Sequence, residues 1–208
     1  MNALALVNAC LKELRQPVVT TLAGASQYVQ NVLSALNATA AKLASGSVWP
    51  ALEALHEITL VAGTPDYALA ADHDRLLADP VMNDPAYRII ERVSEVRWDA
   101  ETLNRSLQGP PVACHLAGGK IWFWYVPDAA HAGKKVYVRY QKKPAELASD
   151  ADTSPFDEQV LITGAVMKVK TIDGDVSPAD VEEHRDARHR CAIEQRRQTP
   201  RFVPYRDF

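Results

Sequence analysis

The apolar positions change period twice along the chain. From Asn2 to Arg15, the residues Leu4, Val7, Leu11 and Leu14 recur at three and four residues, which is one face of a helix. Pro17 ends that pattern. A second stripe, Tyr28, Val32, Leu36, Ala40 and Leu43, predicts a helix from about residue 25 to 44, closed by Ser45-Gly46-Ser47. After Trp49 the period shortens. Glu57–Ala62 (EITLVA) is rich in β-formers, runs into Gly63-Thr64-Pro65-Asp66 and continues as Tyr67-Ala68-Leu69, which predicts a hairpin. Tyr87–Trp98 reads as strand for much of its length and Glu101–Leu107 as a short helix. Three more strands are expected at Val112–Leu116, Lys120–Val126 and Lys135–Gln141. In the last of these, Val136, Val138 and Tyr140 alternate with Tyr137, Arg139 and Gln141, the period of a half-buried strand.

Helical spacing returns in Pro155–Ile172 with Phe156, Val160, Leu161, Gly164, Met167 and Val169. Ser177-Pro178-Ala179-Asp180 is a helix start, with Ser as N-cap, Pro at the first position and an acid at the third. The helix it opens runs to about Gln198 and is nearly all charged. Val181, Ala187, Cys191 and Ile193 are its only positions suited to a core, so it needs a partner or many ion pairs. The order predicts an α+β fold: a helical bundle formed by both chain ends with an inserted small antiparallel β module. The expected divisions are 1–48 and 155–198 for the two parts of the bundle, 49–154 for the β module and 199–208 for an extended C-terminal tail. An inserted module is physically easy because its ends lie close together.

Composition narrows the class. The chain has 208 residues, 47% hydrophobic and 24% charged, as in soluble globular proteins. A net charge of −3 argues against a surface wholly dedicated to nucleic acid, although a local basic patch stays open. Cys10, Cys114 and Cys191 are dispersed and lack CxxC spacing, which suggests free thiols in a reducing compartment. No apolar run approaches the roughly 20 residues that span a bilayer. The apolar N-terminal segment has no basic region before it and reads poorly as a signal peptide. A cytosolic protein without membrane association is expected.

Catalytic and metal chemistry find little footing. Asp150-Ala-Asp152-Thr-Ser154 resembles the start of a calcium loop, but Pro155 stands where glycine is needed and no glutamate follows at the twelfth position. Ser154 or Asp152 is instead expected to cap the next helix, with the carboxylates solvated near its positive end. His184 and His189 are five apart and do not share a helix face well. Gly118-Gly119-Lys120 precedes a strand and reads as a hairpin turn rather than a phosphate loop. Cys114 and His115 are adjacent in a strand and point to opposite faces, so they form no nucleophile–base pair. No enzyme activity, cofactor or metal is expected.

The aromatic residues carry more information. Six of the fifteen fall between Trp122 and Tyr140. On a strand, Trp122 and Trp124 share one face and Phe123 and Tyr125 the other. A single-strand nucleic-acid platform sets aromatics among basic residues. Here Lys134, Lys135, Arg139, Lys142 and Lys143 gather around the second strand instead. Trp122, Trp124, Tyr137 and Tyr140 are therefore expected in the core of the β module or in a subunit contact.

Taken in order, VNACLKELRQPVV, the long helix ending near Trp49, ITLVAGTPDYAL, GGKIWFWYVPDAAHAGKKVYVRYQKKPAELASDAD and the helix PFDEQVLITGAVMKV resemble the head-to-tail adaptor (connector) proteins of tailed bacteriophages, including the tail tubular protein A group of short-tailed phages. The resemblance spans nearly the whole chain, and the IWFWYVPDAAHAGKKVYVRYQKKPAEL block is its most specific part. It departs at TPDYALAADHDRLL, where the family usually has Leu-Pro after the tyrosine-leucine pair. The resemblance implies a non-enzymatic virion protein in the neck or tail, assembled in the host cytoplasm. Such adaptors form a ring, usually of twelve copies, under the portal protein, dock tail or nozzle proteins, and extend the channel for double-stranded DNA without sequence specificity. It implies that the charged helix packs on neighbouring subunits and that Arg196, Arg197, Arg201, Phe202, Tyr205 and Phe208 contact the portal or a neighbour. Asp150 and Asp152 would either face the channel or lie in a solvated loop. The alternatives are a tail-completion or stopper protein of the same virion, and a nucleic-acid-binding module using the aromatic strands.

Overall fold

The computed structural model describes residues 1–83, 88–102 and 107–198, and the side chains of these except residues 100–102 and 193–198. The fold is α+β. In chain order the elements are α1 (Ala3–Glu13), α2 (Gln27–Gly46), β1 (Glu53–Thr59), β2 (Asp66–Ala68), β3 (His73–Leu76), β4 (Val81–Met82), β5 (Arg88–Ile89), β6 (Glu91–Arg92), α3 (Glu95–Thr102), β7 (Ala113–Ala117), β8 (Lys120–Trp124), β9 (Lys135–Lys142), α4 (Glu158–Asp173) and α5 (Pro178–Gln198). The chain divides into two compact units, Met1–Leu52 with Pro144–Phe208, and Glu53–Lys143.

In the helical unit, Leu6, Val7 and Leu11 of α1, Val32 and Leu36 of α2, and Val160, Leu161 and Ala165 of α4 share one core. Helix α4 is buried on most sides and packs against α1, α2 and α5, as expected of a helix apolar nearly all round. Trp49 donates its indole N–H to the Leu43 carbonyl at 2.8 Å and sets its ring edge-on to Phe156, with centroids 4.7 Å apart. It thereby satisfies one of the open carbonyls near the end of α2.

The caps are local, and one differs from expectation only in residue. Asn2 caps α1 by accepting from Ala5 N at 2.9 Å. Asp157, not Ser154 or Asp152, caps α4 by accepting from Val160 N at 3.0 Å, and Gly174 closes that helix at φ +80°. At α5 the predicted box forms: Asp180 N–H donates to Ser177 Oγ at 3.3 Å, and Ser177 N–H and Oγ–H donate back to Asp180 at 2.8 and 2.7 Å. The helical unit resumes at Pro144 rather than after Ser154. Leu147 is buried in the helical core, and its backbone N–H and C=O are held by Asn37 at 2.8 and 3.0 Å.

The β unit contains two sheets. One has β9 as its spine, paired along its length with β1 on one side and with β3 and β4 on the other, with β5 beyond β4. The second runs β2-β8-β7-β6. Ile58, Met82, Val136 and Val138 of the first sheet share a core with Cys114, Ile121 and Phe123 of the second. Gly118 and Gly119 make the β7–β8 turn at φ +59° and +73°, left-handed values that suit glycine in a two-residue hairpin loop.

Three expectations fail here, two of them where strand pairing is non-local. Residues 57–69 do not form a hairpin, because β1 and β2 lie in different sheets. The turn cluster is a crossing between sheets, tied by the Tyr67 hydroxyl to the Val61 backbone N–H at 2.8 Å. The module is not wholly antiparallel, since β6 pairs parallel with β7. A parallel pair needs a crossover of about a dozen residues or more, and the chain containing α3 supplies it. Finally, the stretch expected as strand through Trp98 turns helical at Glu95, where Trp98 N–H reaches the Ser94 carbonyl at 2.9 Å.

Candidate functional site

The acidic segment within the second part of the helical unit is tied down by internal donors. Asp150 accepts from Thr21 Oγ at 2.9 Å and from Leu22 N at 2.7 Å. Asp152 accepts from the backbone N–H groups of Ala148 and Ser149 and from Ser149 Oγ, each at 2.7 Å. Those donors hold its carboxyl below the usual carboxylate range. The carbonyls of the same loop accept the first N–H groups of α1, Ala3 to Asp152 at 2.7 Å and Leu4 to Asp150 at 3.3 Å. Both acids are half-buried and act as struts of the helical unit. Among the described residues no group of three His, Cys, Asp or Glu side chains is placed to hold a metal ion.

Strand β8 distributes its aromatics as the alternation requires. Ile121 and Phe123 enter the core between the sheets. Trp122 and Trp124 face outward onto Trp98 of α3, Val93 and Ala113. Trp98, Trp122, Trp124 and Phe123 line a cavity of about 120 Å³ with Pro65 and Val126. The Trp124 indole N–H is buried there without a hydrogen-bond partner among the described residues. On β9, Tyr140 is buried and donates to Asp72 at 2.8 Å, whereas Tyr137 is half-exposed. The cations around β9 are partly spent within the sheet: Lys135 pairs with Glu57 at 2.8 Å and Arg139 with Glu53 at 3.1 Å. The tryptophans of β8 and the cations of β9 thus belong to different sheets; Lys120 of β8 does lie over the Trp122 ring, 6.0 Å from its centroid, but its ammonium is paired with Asp66 at 2.6 Å.

Helix α5 leaves most of its described side chains exposed. Only His184, Ala187 and Cys191 are buried among its described side chains, with Asp180 half-buried. Val181, expected in the core, is 52% exposed. His184 occupies that role instead. Its Nδ1 lies 3.2 Å from Thr163 Oγ, whose own proton goes to the Gln159 carbonyl at 2.9 Å. Nδ1 is therefore the donor in this pair. Burial, reinforced by Arg188 and Lys42, pushes the His184 pKa down. At the start of α5, Lys170 pairs with Asp180 at 2.5 Å and, with Ser177, holds that carboxyl down to about 2. All three cysteines are free and buried, and burial pushes the Cys10 and Cys114 thiols up to about 12, which keeps them unreactive.

Of the expected contact residues near the C-terminus, Arg201, Phe202, Tyr205 and Phe208 lie outside the described residues. Arg196 and Arg197 fall within α5, with side chains outside the described set. No described helix is long and apolar enough to cross a membrane.

No curated protein matches the chain. Its sequence does match the family described as SU10 adaptor protein, and the match runs from residue 1 to residue 204. It meets the resemblance drawn from the sequence at the level of a phage adaptor and leaves the tail tubular comparison aside. With almost its whole length covered, the chain belongs to the SU10 adaptor protein family.

Proposed function

We propose that this chain is a non-enzymatic structural protein of a bacteriophage virion that forms a ring between the portal protein and the tail. The family match over residues 1–204 carries the reading. In it, the helices from both ends of the chain make the bundle of the ring wall, and the unit Glu53–Lys143 is the inserted β module that meets tail or nozzle proteins. The ring, of twelve copies, extends the channel for double-stranded DNA without reading its sequence, as in the tail tubular protein A group. Assembly takes place in the host cytoplasm. Two features support a scaffold role: a 21-residue helix whose described side chains are mostly exposed, and an outward wall of tryptophans on β8. Asp150 and Asp152 serve in this reading as internal ties rather than as free channel charges.

The test is a native mass measurement of the full chain, alone and mixed with the portal protein of the same genome. The expected product is a ring-sized species with adaptor copies equal in number to portal subunits. A chain that stays monomeric and ignores the portal sinks the proposal.

A further inference from the structure

Helix α5 carries opposite charge on its two flanks. At about 100° per residue, the inward line Asp180, His184, Ala187 and Cys191 separates two exposed sides. On one side Arg185 and Arg188 join Lys42 of α2 around a cleft floored by His184, Met167 and Val181, and no carboxylate lines it. On the other, Glu183 and Asp186, with Glu182 at the crest, line a second cleft alongside Ala179 and Arg190. Arg185 is held only by a loose contact with Glu182 at 3.2 Å, both side chains being more than two-thirds exposed. Lys42, Arg188, Glu183 and Asp186 have no ion-pair partner among the described residues.

The two charged pairs have the same spacing. Arg185 to Arg188 and Glu183 to Asp186 each span three residues, about 4.5 Å along the axis. Two parallel copies of α5, shifted by two residues or about 3 Å, therefore bring both arginines of one opposite both acids of the next. Because the two patches differ, the contact is head-to-tail, the type that closes into a ring when the rotation allows.

We infer that α5 is the side-to-side contact between successive copies of this chain, with Arg185, Arg188 and Lys42 of one copy meeting Glu183 and Asp186 of the next. The inference rests on the ring reading above and names its contact surface. Exposed complementary charges set orientation and association rate more than affinity, so the contact is weak in dilute solution and sensitive to salt.

The experiment is sedimentation velocity of the full chain at high concentration, in low and high salt. It compares wild type with R185E/R188E, E183K/D186K and an equal mixture of the two variants. All these positions are exposed, and unchanged circular dichroism verifies that the variants fold. The expected result is salt-sensitive association of the wild type, weakened about tenfold in each variant and restored in the mixture. In the mixture the acidic flanks of one variant meet the basic flanks of the other, whereas each variant alone sets like charge against like across the contact. A wild-type chain that stays monomeric in low salt, association indifferent to the reversals, or losses that mixing does not repair overturns the inference. Each of these leaves the ring reading to stand or fall on portal binding, where a reversed variant that still joins a full ring sinks the α5 contact alone.

Discussion

Gly164 is the position where a single methyl group tests the packing of the helical unit. It lies in α4 at the crossing with α2 and α5, and a Cβ built there meets Thr39 Cγ2 at 2.5 Å and His184 Cε1 at 2.8 Å. Both distances are shorter than side chains tolerate, and both neighbours are themselves buried. Overpacking of this kind costs about 1–3 kcal/mol. Replacing a helical glycine by alanine returns about 1 kcal/mol of helix propensity. With two contacts to relieve, the packing term sits near its upper end, so Gly164→Ala should destabilise the unit by about 1–2 kcal/mol. Gly46, at the end of α2, is the control, because nothing lies within 4 Å of a Cβ there. Gly46→Ala should be neutral or stabilising by less than about 1 kcal/mol.

The assay is urea denaturation followed by far-ultraviolet circular dichroism, since four of the five described α-helices belong to this unit. Thr39→Ser removes the nearest atom while keeping the hydroxyl bond to the Ala35 carbonyl at 2.8 Å. In the Gly164→Ala background it should recover about 0.5–1 kcal/mol, a coupling expected only of groups in contact. A Gly164→Ala protein as stable as wild type, or a Thr39→Ser change that recovers nothing, refutes the close approach of the three helices.

Other consequences are simpler. Ser177→Ala removes the two Oγ bonds of the α5 capping box, keeps the backbone N–H bond to Asp180, and should cost about 1 kcal/mol in thermal unfolding. Asp150→Ala leaves the Leu22 N–H without its acceptor and should cost about 1–2 kcal/mol in urea, whereas an acid that only faced a channel would leave the free chain's stability unchanged. Phe123→Ala, emptying the core between the sheets, should cost the β unit about 3–5 kcal/mol by native-state hydrogen exchange of β8 and β9, and Trp122→Ala less, because Trp122 is only half-buried. His184 titrates below its ordinary 6.5 in the folded chain, so the unfolded chain takes up its proton first as pH falls. Stability should therefore be intact above that value and decline below it. This part of the slope should vanish in His184→Gln when urea midpoints at about pH 7.5 and 5.5 are compared. The groups around the ring, Thr163, Thr39, Lys42 and Arg188, include no acid to offset the charge.

The parts of this fold legible in the sequence are those decided within one turn of chain. The start of α5 follows from Ser177, Pro178 and Asp180, and the turn between β7 and β8 from two adjacent glycines, because caps and tight turns close over three or four residues. Strand partners are different. The segment before Gly63 carries the same β-forming composition whether it pairs with its neighbour or with β9 some 80 positions later, and composition alone favours the near partner. Only the long two-sided demand of β9 decides the matter, and that is a property of the assembled sheet.

The inward face of α5 shows a signal that was present but outweighed by hydrophobicity. Ala187 and Cys191 lie one turn apart, and their line runs back through His184 to Asp180. Val181 sits about 120° away from Ala187 around the axis. Ranking by apolarity selects valine, whereas ranking by angle selects histidine, and the structure follows the angle. The histidine can be buried because Thr163 offers its oxygen and Gly164 leaves room beside it for the ring. Three residues on two helices thus make one site, and neither Thr163 nor His184 reads as core by hydropathy. The same geometry leaves both flanks of α5 free of the unit's own core, so their opposite charges answer to no internal packing demand. A contact with another copy is the economical account of them.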